Sequence, residues 1–117
     1  MSVQLKRIYE SANKSDGTRV LVDRIWPRGV SKDEAKLDHW LKEIGPSSGL
    51  RKDFNHDPEK FPDFKDKYKQ ELKSGEQKEQ FDKLKDIVKN NTNVTLLYAA
   101  KDEQHNQAVI LKELLEK

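Results

Sequence analysis

An acid, two arginines and a tryptophan fall together in Asp23-Arg24-Ile25-Trp26-Pro27-Arg28-Gly29, directly after the apolar run Val20-Leu21-Val22. Guanidinium groups offer rigid forks of donors that suit phosphate, sulfate or carboxylate, and a neighbouring acid can orient them or exchange protons. A second polar cluster, Lys101-Asp102 with Glu103, His105 and Asn106, follows the most hydrophobic run of the chain, Val94 to Ala100. Open α/β sheets bind ligands outside the carboxyl ends of their strands. If the two runs are parallel neighbours, Arg24, Arg28 and Lys101 converge near two helix N-termini, whose free N–H groups add donors for an anion. Asp23 and Asp102 would then orient the arginines or move protons, Trp26 or Tyr98 would form an apolar wall, and His105 is a further ligand-binding candidate, with the alternative that a first-turn histidine simply meets solvent. The same residues also fit a structural network, with Arg24 paired to Asp23 or Asp102, Arg28 in solvent and Trp26-Pro27 laid over the core.

A third candidate is Asn55-His56-Asp57-Pro58, where His56 beside a carboxylate has the proton affinity of a general acid or base near neutral pH. The alternative is that Asp57 caps the helix after Pro58 and His56 is a turn residue. No spacing of His56, His105 and the acids forms a metal motif, so no metal is expected. No Gly-rich phosphate loop, nucleophile elbow or dinucleotide fingerprint occurs, so no cofactor is expected either.

The elements that must position these groups are legible to different degrees. Val3, Leu5 and Ile8 mark a short first strand, and Val20-Leu21-Val22 a second that is buried on both faces. The link between them is short, which favours a hairpin over a parallel crossover. Ser31 and Glu34 fit a capping box with Val30 placed to staple onto Ala35, and Leu37, Trp40, Leu41 and Ile44 predict one helix running to Gly45-Pro46. Phe61, Phe64, Tyr68 and Leu72 mark another helix, with Pro62 near its start. Ser74 and Gln77 are placed to cap the next, whose apolar face is Phe81, Leu84 and Val88. Val94 to Ala100 reads as a central strand. Asp102 is placed to cap a final helix that buries Ala108, Leu111, Leu114 and Leu115.

The expected fold is therefore one α/β domain over residues 1–117, with a short, at least partly parallel sheet of three or four strands and about five helices. The 117 residues carry 23 lysines and arginines against 21 acids, a net charge of +2 that is too balanced to point to nucleic acid. The lysines of the two middle helices alternate with acids and read as a solvated face. The chain has no cysteine, which excludes disulfides, thiolate nucleophiles and iron–sulfur ligation. Met1 to Lys6 has no long apolar segment, and no run approaches the ~18 apolar residues of a membrane span. The expected compartment is the cytoplasm, with no membrane contact.

Three segments taken together, Val20 to Gly29, Phe54 to Pro58 and Leu96 to Asp102 with His105-Asn106, resemble the YeaO-like branch of domain-of-unknown-function family 488 (DUF488) over nearly the whole chain. The resemblance implies a compact α/β domain and singles out Asp23, Arg24, Trp26, Arg28, His56, Lys101 and Asp102. It implies no activity. Longer relatives in the broader family carry a cysteine near the end of the last strand and a Cys-His-Arg-like run after it; here Tyr98 and His105-Asn106-Gln107-Ala108 stand there, so no thiol mechanism can operate. The functional expectation is a binding or catalytic site for a small anionic ligand, phosphate- or nucleotide-like. A non-enzymatic partner-binding module, using the aromatic and basic lip around Trp26 and Arg28, is the alternative. Nucleic-acid binding is the third reading, and oligomeric state is left open.

Overall fold

The computed structural model describes residues 2–116. Its strands are β1 (Ser2–Arg7), β2 (Thr18–Leu21), β3 (His39–Trp40) and β4 (Asn93–Tyr98). Its helices are α1 (Lys32–Ala35), α2 (Ser48–Phe54), α3 (Phe61–Glu71), α4 (Gly75–Lys89) and α5 (Gln107–Leu115). The sheet order is β1-β4-β2-β3, and every pairing is parallel. The α/β class, the strand number and the helix number are as expected. The hairpin is not: β1 and β2 do not pair, and β4 lies between them, parallel to both.

Alternation along the strands sends side chains to two unequal cores. Val20, Val22, Val94, Leu96 and Tyr98 join the larger one, under Leu50 and Phe54 of α2, Phe64 and Tyr68 of α3, Leu84 and Val88 of α4, and Ala108 and Leu111 of α5. Leu21, Leu97, Ile8 and Ala35 form the smaller one on the opposite face, with Trp26, Val30 and Leu37 packed against it. The Val20-Leu21-Val22 run is buried on both faces because both are covered.

The helix expected from Ser31 to Ile44 is corrected. Its capping box forms, but α1 stops at Ala35, and Lys36 takes a left-handed conformation at φ 47°. Asp38 then grips β2: its carboxylate accepts the Arg19 N–H at 2.8 Å, and its own N–H donates to the Arg19 carbonyl. Residues 39–40 follow as the edge strand β3. Leu37 packs in the smaller core while Leu41 and Ile44 pack in the larger, which one face of one helix could not achieve. Two caps are also corrected. Ser74 makes no capping bond with its side chain, and Gln77 donates instead to Gly45 and Glu71; α5 is capped by Asn106 rather than Asp102.

The return from β1 to β2 contains one three-residue 3₁₀ turn, Lys14–Asp16, and ends at Gly17 with φ 65°. A Cβ at Gly17 would overlap the Asn93 carbonyl where β4 begins. Conformation and contact thus both demand glycine. Gly17→Ala is expected to lower the unfolding free energy by about 2–4 kcal/mol, read as a lower urea midpoint with unchanged slope.

Candidate functional site

Because all four strands are parallel, residues that follow β1, β2, β3 and β4 gather along one edge of the sheet. Asp23 sits two residues beyond β2, where its carboxylate accepts the Ala99 N–H at 2.9 Å and a hydrogen bond from the Gln107 side-chain amide. Burial pushes its carboxyl up to about 6, against the opposing pull of those two bonds and of the Arg51 guanidinium. Asp23 therefore ties β2 to the end of β4 and the first turn of α5. It is also an acid whose charge changes in a range where ordinary aspartates do not titrate.

Arg24 takes a different direction. Its Nε donates to the carbonyls of Gly45 and Pro46 at 3.1 and 2.9 Å, and its guanidinium pairs with Glu43 at 3.1 Å. The Gly45 Cα lies so close to Arg24 that a Cβ there would come within 2.8 Å of Arg24 Cγ. Arg24 is thus a clamp on the turn between β3 and α2, paired with neither Asp23 nor Asp102. Arg28 and Lys101 are exposed, and the Arg28 carbonyl accepts the Tyr9 hydroxyl at 3.1 Å. Trp26 donates its indole N–H to Val30, and Trp40 donates to the Asp23 carbonyl, both at 2.7 Å. The two indoles meet edge to face with centroids 5.2 Å apart. Tyr98 is buried in the larger core and offers no open wall, and burial raises its hydroxyl pKa.

Asp102 and His105 form a dyad, with Nδ1 2.9 Å from Oδ2. The N–H groups of Gln104 and His105 also point at the carboxylate and hold its pKa below the usual value, with the Gln104 bond the largest cause. The other side of the His105 ring meets Phe61 edge-on at 5.1 Å. His56 is exposed at φ 55°, its ring 6.2 Å from Phe54, while Asp57 accepts from the Glu59 N–H. His56 and His105 thus lie against Phe54 and Phe61 respectively, whose own ring centres are 5.9 Å apart. Among the described residues no three His, Cys, Asp or Glu are grouped as a metal would require. No helix among them is long and apolar enough to cross a membrane.

Two arginines and three exposed apolar residues contribute here without being singled out by the sequence. Arg7, the last residue of β1, donates to the carbonyls of Ala99 and Ala100 at 3.0 and 2.9 Å. Arg51 of α2 stands within electrostatic reach of Asp23, and its buried Nε has no hydrogen-bond partner. Ile25, Tyr9 and Trp40, exposed by 67, 48 and 38%, are the large apolar side chains left open to solvent among the described residues. A parallel β1 would have flagged Arg7 and Tyr9; nothing local distinguishes Arg51 from an ordinary surface arginine.

Residues 2–117 match the family described as the inactive DUF488-N3 subclade. The chain is 44% identical over 115 residues to the uncharacterized protein YeaO of Escherichia coli (strain K12), covering 98% of this chain and 97% of that one. It is 36% identical over 113 residues to the uncharacterized protein Rv3073c of Mycobacterium tuberculosis (strain ATCC 25618 / H37Rv), covering 97% and 92%. No solved structure matches. The chain belongs to this DUF488 family, as its motifs suggested.

The raised Asp23 carboxyl has a thermodynamic consequence. Its folded pKa of about 6 exceeds the ordinary 3.8, so between those values the folded chain holds a proton that the unfolded chain has released. Stability then falls as pH rises through that window. Asp23→Asn keeps the shape, and a flip of the Gln107 amide would preserve both hydrogen bonds. The stability of Asp23→Asn relative to wild type should therefore grow by on the order of 2 kcal/mol between about pH 4 and pH 7. Urea melts across that range would show a constant difference if Asp23 keeps an ordinary pKa.

Proposed function

We propose that this member of the inactive DUF488-N3 subclade is a non-enzymatic binding module that meets a protein partner along the carboxyl edge of its sheet. The observation that carries the reading is the placement of Tyr9, Ile25 and Trp40. Tyr9 and Ile25 lie just beyond the ends of β1 and β2, and Trp40 is the last residue of β3, so the exposed large apolar side chains of the described chain share one edge. Exposed aromatic and aliphatic groups set among arginines and lysines are typical of contact surfaces. Arg28 and Lys101 are exposed beside them, and Lys42 lies 5.7 Å from the Trp40 ring centre. Arg24, the residue best placed in the sequence to hold an anion, has its Nε and one terminal nitrogen engaged by the backbone and Glu43. The family's description as inactive is consistent with a protein that binds without catalysing.

A second reading, a site for a small phosphate- or nucleotide-like anion, draws on Arg51. A buried guanidinium nitrogen without a partner, next to an acid that is easily neutralised, is a natural place for an incoming oxygen.

A photo-crosslinking residue at Ile25, in cells producing the full chain, is expected to give a discrete adduct that Trp40→Ala abolishes without unfolding the protein. The same residue at Lys83, exposed on α4, should not give that adduct. Identical adducts at both positions, or no effect of Trp40→Ala, would contradict the proposal. Thermal shifts with phosphate, sulfate and nucleotides separate the second reading. A ligand at ~100 times its Kd should stabilise by roughly 2.7 kcal/mol, and loss of that gain in Arg51→Gln would move the function to the anion site.

A further inference from the structure

A groove of about 800 Å³ runs between α3 and α4, away from the carboxyl edge residues described above. We infer that it docks an acidic amphipathic helix supplied by a partner protein. The floor is apolar, made by Leu72, Phe81 and Leu114. The rim is built from Asp66, Lys69 and Gln70 of α3, with Lys73 in the turn that follows it, on one side, and from Lys78, Asp82 and Lys85 of α4 on the other. Positions i, i+3, i+4 and i+7 lie on one helix face, so Lys78, Asp82 and Lys85 share a face of α4, as Asp66, Lys69 and Gln70 share a face of α3. The α4 wall runs from Lys78 to Lys85, a length of roughly 12 Å, which matches about two turns of an added helix.

Charge selects the occupant. The lining carries five lysines, Lys67 among them, against two carboxylates. Asp82 is already engaged by Lys78 at 2.8 Å and Lys85 at 3.7 Å, and Lys67 pairs with Asp63 at 3.0 Å. Lys69 and Lys73 have no ion pair among the described residues, so they are the cations available to an incoming acid. Lys85 also lies 4.7 Å from the centre of the Phe81 ring, placing charge directly beside the apolar floor. Alternating acidic and apolar groups at helical spacing complement this surface, as in other helix-in-groove recognition. A nucleic acid fits less well. No arginine lines the groove, and Asp66 and Asp82 stand where a phosphate backbone would track.

The test uses the full chain and three fluorescent probes: a synthetic Glu/Leu amphipathic helical peptide, its scrambled isomer, and a single-stranded oligonucleotide of similar length. The amphipathic peptide should bind saturably, at least about tenfold tighter than the other two, and perturb amide resonances of α3 and α4. Lys69→Glu combined with Lys73→Glu should weaken it at least about tenfold while the melting temperature stays close to wild type. If that double variant does not fold, Lys73→Ala alone should still weaken binding measurably. Equal binding of the scrambled peptide, equal or tighter binding of the oligonucleotide, no saturable binding at millimolar peptide, or perturbations confined to other surfaces would each overturn the inference.

Discussion

The Asp16 carboxylate is the group on which the sheet's layout depends. It sits almost closed to solvent, accepting from Lys6 of β1 at 3.0 Å, from Arg19 of β2 at 2.5 Å and from the Asn13 N–H at 3.1 Å. Burial alone would raise its pKa, but these bonds together outweigh burial and hold it below the usual value. The Asp16 carbonyl accepts the Thr95 hydroxyl of β4 at 2.6 Å, and the Arg19 guanidinium donates twice to the Ala35 carbonyl at the end of α1. Three strands and a helix therefore meet through one acid and one arginine. A buried ion pair gains little net stability once desolvation is counted, yet leaving either partner alone is costly, so its main effect is to exclude other arrangements. Here it joins β1 to β2 with β4 lying between them. Residues 8 to 17 return across the face bearing Leu21 and Leu97, and a polar cluster covers that face where a longer crossover would lay a helix.

Everything at the carboxyl edge follows from that return. A parallel β1 brings Arg7 onto the carbonyls of Ala99 and Ala100 and leaves Tyr9 beside Arg28. Asp23 fastens β2 to β4 and α5, Arg24 fastens the turn after β3, and Trp40 hydrogen-bonds back to the Asp23 carbonyl. The strongest polar groups of the edge thus hold the framework, while apolar Ile25, Tyr9 and Trp40 remain outside. With the lysine-lined groove of α3 and α4, the molecule presents two chemically distinct surfaces, one aromatic and one cationic.

The sequence disclosed what local pattern can carry. β-branched runs revealed β2 and β4, helical spacing revealed α3, α4 and α5, and position after the strands pointed to Asp23 and Trp26. It hid what depends on distant partners. Leu37, Trp40, Leu41 and Ile44 have helical spacing, yet they serve two cores and an edge strand because Asp38 pairs with Arg19. Arg24 read as an anion donor because its acceptors, the carbonyls of Gly45 and Pro46, leave no trace in side-chain pattern. Ser74 read as a cap because its spacing to Gln77 was right, although Gln77 is drawn off to Gly45.

The most direct test is backbone nuclear Overhauser spectroscopy of the strand contacts. Parallel contacts are expected in the registers Val3 with Val94 and Val20 with Leu96, and none between β1 and β2. Those contacts would place Tyr9, Ile25 and Trp40 on one edge. Antiparallel contacts between β1 and β2 would contradict this arrangement, moving Tyr9 to the opposite end of the sheet and dissolving the surface on which the proposed function rests.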